Sequence, residues 1–174
     1  MKVYNNVMDT ATKQSFVKIV QQHKGIIYKI CNSYCRNRDD REDLAQEIVF
    51  QLWKSFEAYN PEYKHSTWLY RIALNVAISF YRKQKNARRL VSDEHLFELK
   101  EHEGENAEHN ENMNLLQQFI NELPELDRAL MILYLEEKSH REIADILGIS
   151  ESNVGTKVGR IRQKLKQRFA AAGS

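Results

Sequence analysis

Apolar positions recur along this chain at the three-to-four-residue spacing of helices, and no stretch alternates in the strand manner between turn residues. The pattern predicts a first helix over 11–35, with Phe16, Val20, Ile27, Ile30 and Tyr34 on its apolar side. Asn37-Arg38-Asp39-Asp40 reads as a polar turn in which Asp39 or Asp40 would cap the next helix. That helix, over 40–56, places Leu44, Ile48, Leu52 and Phe56 at four-residue spacing. Tyr59-Asn60-Pro61-Glu62 ends it, because the Pro61 ring disfavours helical geometry at Asn60. A third helix starts near Ser66–Thr67 and runs to about Arg89. Its buried stripe is read as Leu69, Ile72, Ala73, Val76 and Phe80. Glu94 to Glu111 holds no durable apolar face and reads as a solvated linker. Helical spacing returns over 114–122 with Leu115, Leu116, Phe119 and Ile120, and Pro124 opens a helix over 125–137.

The C-terminal part has a more specific grammar. Ser139-His140-Arg141-Glu142 has the form of a capping box, and a short helix over 143–147 follows. Gly148 suits a left-handed stop, Ile149 fills the corner, and Ser150 can cap a last helix over 151–169. Two helices joined by a short glycine turn, with small Ala144 at the approach, describe a helix-turn-helix. The last helix has an apolar stripe of Val154, Val158, Ile161, Leu165 and Phe169. Its other face presents Ser152, Asn153, Thr156, Lys157, Arg160 and Lys164, the amide, hydroxyl and cationic groups that contact bases and phosphates in a major groove. A plain helical hairpin with a solvated basic face is the alternative. Gly155 and Gly159 lie one turn apart in this helix, each costing ~1 kcal/mol relative to Ala. They would permit close approach to a backbone, of protein or DNA, or they bend the helix.

Charge changes the picture further. The net charge of the 174 residues is only +2, but its distribution is uneven. Residues 1–90 carry +8, 91–125 carry −9 and 126–174 carry +3, so two basic blocks flank an acidic connector. On the third helix, Trp68, Arg71, Asn75, Ser79 and Arg82 form one continuous face, which Lys83, Lys85, Arg88 and Arg89 extend. Nine aromatic residues fall between Phe50 and Tyr81, beside this basic helix. Aromatics next to cations are what hold unstacked single-stranded bases. Phe50, Phe56 and Phe80 are assigned to the core, whereas Tyr59 and Trp68 are expected to be exposed. The second helix carries the opposite sign, in a strip of Asp43, Gln46, Glu47 and Phe50. A solvated face explains it, and so does a basic protein partner.

Other classes drop out. The longest apolar run, seven residues, is far short of the ~20 of a membrane span, so no membrane insertion is expected. The N-terminus lacks the apolar stretch of a secretory signal. Cys31 and Cys35 share one helix face, with His23 two turns earlier. They read as buried free thiols in a reducing compartment rather than as metal ligands. No phosphate-cradling loop, nucleophile elbow or zinc-protease motif occurs, so neither an enzyme, a cofactor nor a small-molecule substrate is expected. A helical nuclease would need converging carboxylates, and the acids of 93–111 have no scaffold to converge them.

Two segments carry a resemblance. Asp43-Leu-Ala-Gln-Glu-Ile-Val-Phe-Gln-Leu-Trp53 and Ser66-Thr-Trp-Leu-Tyr-Arg-Ile-Ala-Leu-Asn75 resemble domain two of bacterial extracytoplasmic-function (ECF) sigma factors. Leu123-Pro-Glu, His140-Arg-Glu-Ile-Ala-Asp-Ile-Leu-Gly-Ile-Ser150 and Val154–Leu165 resemble their domain four. The resemblance implies an all-α chain of two small domains, 1–90 and 112–174, joined by a flexible acidic linker over 91–111. It implies a cytoplasmic subunit that takes core RNA polymerase to promoters, and an anti-sigma factor as a further partner. Asp43, Gln46, Glu47 and Phe50 would dock on the beta-prime clamp helices. Tyr59, Trp68, Arg71, Asn75, Ser79 and Arg82 would hold the melted minus-ten strand, with Asn75 beside a flipped base. The C-terminal helix would read minus-thirty-five duplex, with Lys157 and Arg160 on phosphates, while domain four touches the beta flap. His65 stands where the family commonly has Phe, and Gly155 and Gly159 replace its frequent basic and histidine residues. A helix-turn-helix repressor binding duplex as a dimer is the competing class, and it leaves the Trp68 face and the acidic strip without a use.

Overall fold

A computed structural model describes residues 9–91 and 111–173, and every regular element among them is helical. The order is α1 (Thr10–Gln22), α2 (Lys24–Tyr34), α3 (Arg38–Ser55), a 3-10 turn (Phe56–Ala58), α4 (His65–Val91), α5 (Glu111–Glu122), α6 (Glu125–Leu135), α7 (His140–Leu147) and α8 (Glu151–Ala172). The chain forms two compact units, Met1–Val76 and Ala77–Ser174, divided within α4. The acidic linker reading falls largely on 92–110, outside the described residues.

In the first unit the expected long N-terminal helix is two helices. His23 interrupts it with φ −114° and ψ 14°, its N–H shared between the carbonyls of Ile19 and Val20. Gly25 lies just beyond, where it weakens propagation. One irregular residue barely shifts the apolar register, so periodicity could not reveal it. The α3 cap also moves: Asn37, not Asp39 or Asp40, caps the helix, its Oδ1 accepting from the Asp40 N–H at 2.7 Å. Asp39 and Asp40 instead occupy the first turn, where their charge favours the helix dipole. Leu44, Ile48 and Leu52 are wholly buried with Ile30. The buried stripe of α4 is turned from the expected one. Leu69, Tyr70, Ala73 and Leu74, then Ala77 and Ile78, are buried, while Ile72, Val76 and Phe80 are half-buried. Paired apolar neighbours make the stripe wide, and spacing alone does not fix its centre.

Cys31 and Cys35 are free and buried. Burial pushes the Cys31 thiol up to about 11. Thiolate is the reactive form, so Cys31 should resist iodoacetamide at pH 8 in the folded protein and label readily in urea, read by mass spectrometry. Labelling of folded protein at the unfolded rate would show the α2 end to be open.

In the second unit, α7 and α8 pack together and both pack on α6. Leu130, Leu133, Ile143 and Val154 are wholly buried. α6 ends two residues before expected, at Leu135. Glu137 takes φ 57°, and the Lys138 N–H reaches back to the Leu133 carbonyl at 3.1 Å, a Schellman closure. α7 has both halves of the capping box: Ser139 N–H to Glu142 Oε2 at 2.9 Å and Glu142 N–H to Ser139 Oγ at 3.2 Å. Gly148 sits at φ 68°, and Ser150 Oγ accepts from the Asn153 N–H at 3.1 Å. The helix-turn-helix stands as read, with α7 starting three residues earlier, at His140.

Candidate nucleic-acid and polymerase interfaces

The aromatic residues before and along α4 come together in space. Tyr59 leaves the 3-10 turn in an extended conformation, and its hydroxyl donates to the Tyr63 carbonyl, closing the loop that Pro61 forces. Its ring stacks on His65 (5.0 Å, 24°) and meets Trp68 edge-on (5.2 Å, 60°). Trp68 in turn lies 6.0 Å from Phe56. Tyr59 and Trp68 are therefore half-buried rather than exposed, each covered partly by the other. The Arg71 guanidinium lies 5.4 Å from the Tyr63 ring centroid. Asn75 and Ser79 are exposed on the same helix. Arg82 is exposed and, within the second unit, gives its Nε to Glu125 Oε1 at 2.8 Å. That bond holds the Glu125 carboxyl below the usual carboxylate range. Sequence reasoning missed Tyr63, whose ring faces Arg71, and His23, whose ring lies 6.4 Å from His65. Burial, and then the His65 charge, hold the His23 imidazole below its ordinary value.

Asp43, Gln46, Glu47 and Phe50 are exposed along α3. The core assignment of Phe50 is corrected: its ring is 53% exposed, with the Lys54 ammonium 5.5 Å from its centroid. Phe56 and Phe80, also assigned to the core, are half-buried. Four-residue spacing from Gln46 carries Phe50 onto the acidic face, away from Leu44, Ile48 and Leu52. Beside it lies an apolar groove of about 520 Å³ lined by Phe16, Ala45, Gln46, Val49, Phe50 and Trp53. Phe16, itself buried, lies edge-on to Trp53 at 4.9 Å.

On α8, Ser152, Asn153, Thr156, Arg160 and Lys164 are exposed. Ser150 caps the helix, so the side chains of its first turn project beyond the α7–α8 corner. Lys157 differs: it is half-buried and ion-paired to Asp127 of α6 at 2.8 Å. The helix is continuous across both glycines. A Cβ on Gly155 would meet the His140 ring at an ordinary 3.7 Å, and one on Gly159 would meet nothing within 4 Å. No close approach within the described chain requires either. Gly159→Ala should therefore stabilise the second unit by about 0.5–1 kcal/mol, seen as a higher urea midpoint. A lower midpoint would mean that the backbone there departs from a regular helix.

These features define an all-helical, two-part protein with a helix-turn-helix and an aromatic, cation-lined helix. Residues 19–93 match the Sigma-70 region 2 family and residues 113–165 match Sigma-70, region 4. The chain is 30% identical over 174 residues to the ECF RNA polymerase sigma factor SigW of Bacillus subtilis, covering 90% of both chains. It is 34% identical over 151 residues to SigV of the same organism, covering 86% of this chain and 87% of that one. Its fold matches that of the sigma factor RpoE of Bartonella quintana, solved with the anti-sigma factor NepR, at TM-score 0.67 and 19% identity over 93% of this chain and 98% of that one. The chain belongs to the ECF-type RNA polymerase sigma factors. It is a DNA-binding transcription initiation factor that directs RNA polymerase to promoters, not an enzyme. Among the described residues no helix is long and apolar enough to cross a membrane.

Proposed function

We propose that residues 1–90 dock on core polymerase and hold the melted minus-ten strand, that 91–111 are an acidic connector, and that 112–174 read minus-thirty-five duplex. The observation that carries this is the Tyr59–Trp68 ring pair beside Arg71 and the exposed Asn75. Rings with one open face, a cation and a free amide suit an unstacked base better than a stacked duplex. Asp43, Gln46 and Glu47 give an acidic rim, and Phe50 with its groove an apolar centre, which suits a partner surface that is basic with an apolar patch, the role assigned here to the beta-prime clamp helices. Asn153, Thr156, Arg160 and Lys164 on α8 take the duplex, with Arg160 and Lys164 on phosphates. The second unit also meets the beta flap. An anti-sigma factor is a further partner, supported by the Bartonella quintana relative solved with one. The protein works in the cytoplasm, where its polymerase is.

The test mixes the protein with sigma-free core polymerase and a promoter library and maps transcript starts. Start-site-specific RNA is expected, and its absence together with polymerase-free binding to duplex would favour a repressor. Phe50→Ala should weaken core binding roughly 10- to 30-fold without lowering thermal stability, because the ring is exposed. Unaltered core affinity would remove the α3 groove from the docking surface.

A further inference from the structure

Among the rings around the start of α4, His65 has a position that its place in the strand-holding site does not by itself explain. It is the first residue of α4, and its imidazole is half-buried. It stacks nearly parallel on Tyr59, at 5.0 Å and 24°, while Trp68 meets the same tyrosine only edge-on. Tyr59 lies outside any helix, on a loop with exposed Asn60, Pro61, Glu62 and Tyr63, so no i−4 neighbour restrains its ring. The contacts that hold it include the hydroxyl bond to Tyr63, the edge of Trp68 and the face of His65. The hydroxyl bond fixes only the tip, and an edge contact leaves the ring free to slide. A flat face fixes the ring plane. His65 is backed by helix α4 and approached by the His23 ring at 6.4 Å from the α1–α2 junction, so it is the better-anchored partner of the pair.

We infer that His65 is a positioning residue: its ring holds the plane of Tyr59 at the angle that receives an unstacked base. The role is carried by the flat ring, not by hydrogen bonding, since the contact with Tyr59 is face to face. The inference rests on the single-strand reading of Tyr59 given above.

The test uses holoenzyme assembled from core polymerase and each variant, on a promoter with a fluorescent base in the minus-ten non-template strand. His65→Ala should slow open-complex formation roughly 2- to 12-fold, the range of one aromatic pair. His65→Phe should restore the rate to within about twofold, because it keeps a flat ring in place. Combining His65→Ala with Tyr59→Ala should be no slower than Tyr59→Ala alone, which a general packing role would not produce. Core affinity, measured in parallel, should stay at the parental value throughout. A parental rate for His65→Ala, a His65→Phe as slow as His65→Ala, or additive losses in the double variant would each overturn the inference. A parental rate for Tyr59→Ala would overturn it together with the single-strand reading, whereas a slow Tyr59→Ala beside a parental His65→Ala overturns it alone.

Discussion

Replacing Trp68 and Asn75 together by alanine is expected to remove most promoter opening while leaving assembly with core polymerase intact. A base stacked on an aromatic ring contributes ~1–3 kcal/mol, which is roughly 5- to 150-fold in the open-complex constant. Asn75 is exposed, so its loss should leave packing undisturbed. Trp68 is half-buried against Tyr59 and Phe56, so its loss also frees the tyrosine ring. The α3 strip contributes none of these atoms, and polymerase affinity should hold. Permanganate reactivity of minus-ten thymines, set against a core-binding titration of the same variants, separates the two. Equal loss of both would mean that the first unit had misfolded, and full opening would remove this face from the strand.

The largest effect on stability is expected at Arg128. It is the one buried charged side chain among the described residues, 3% exposed. Its Nη2 donates to the carbonyls of Asn121 at 2.5 Å and Leu123 at 3.2 Å, the ends of α5 that lack helical partners. A buried cation aimed at helix C-terminal carbonyls also complements the α5 dipole. Arg128→Ala leaves those carbonyls without this donor and opens a void, and should destabilise the second unit by about 2–4 kcal/mol in urea unfolding. For contrast, Arg168, paired to Glu122 from the surface of α8, should hardly alter the midpoint when replaced, because water screens it. A small effect at Arg128 would mean that the α5–α6 corner holds without its cation.

The features legible in the sequence were those decided by chemistry a few residues apart. Ser139 with Glu142, Gly148 and Ser150 each act on backbone within one turn, so the helix-turn-helix could be read directly. Leu44, Ile48 and Leu52 lie on a helix with a single apolar seam, and their burial followed. Arg128 was not legible, since an arginine beside Asp127 at the head of an apolar run announces burial only once α5 supplies its carbonyls. Nor was the pairing of Lys157 with Asp127, thirty residues apart in sequence, foreseeable from helix spacing. At the face proposed to hold the strand, Tyr59 and Trp68 are picked out by residue type. Their mutual cover and the stacking of His65 depend on how the 59–64 loop folds back on α4.

If α8 lies on duplex as proposed, the ion pair between Lys157 and Asp127 sets how many counterions that duplex can give up. Each phosphate neutralised by a cation releases bound salt and adds about −0.9 to the slope of log affinity against log salt. Lys157 already has its anion within the protein, so of the three cations on the proposed reading face only Arg160 and Lys164 would contribute in full. Their share of the slope is then about −2, not about −3. With α8 on duplex as proposed, affinity should fall less steeply as ionic strength rises, and the hydroxyls and amides of the same helix should carry more of the discrimination.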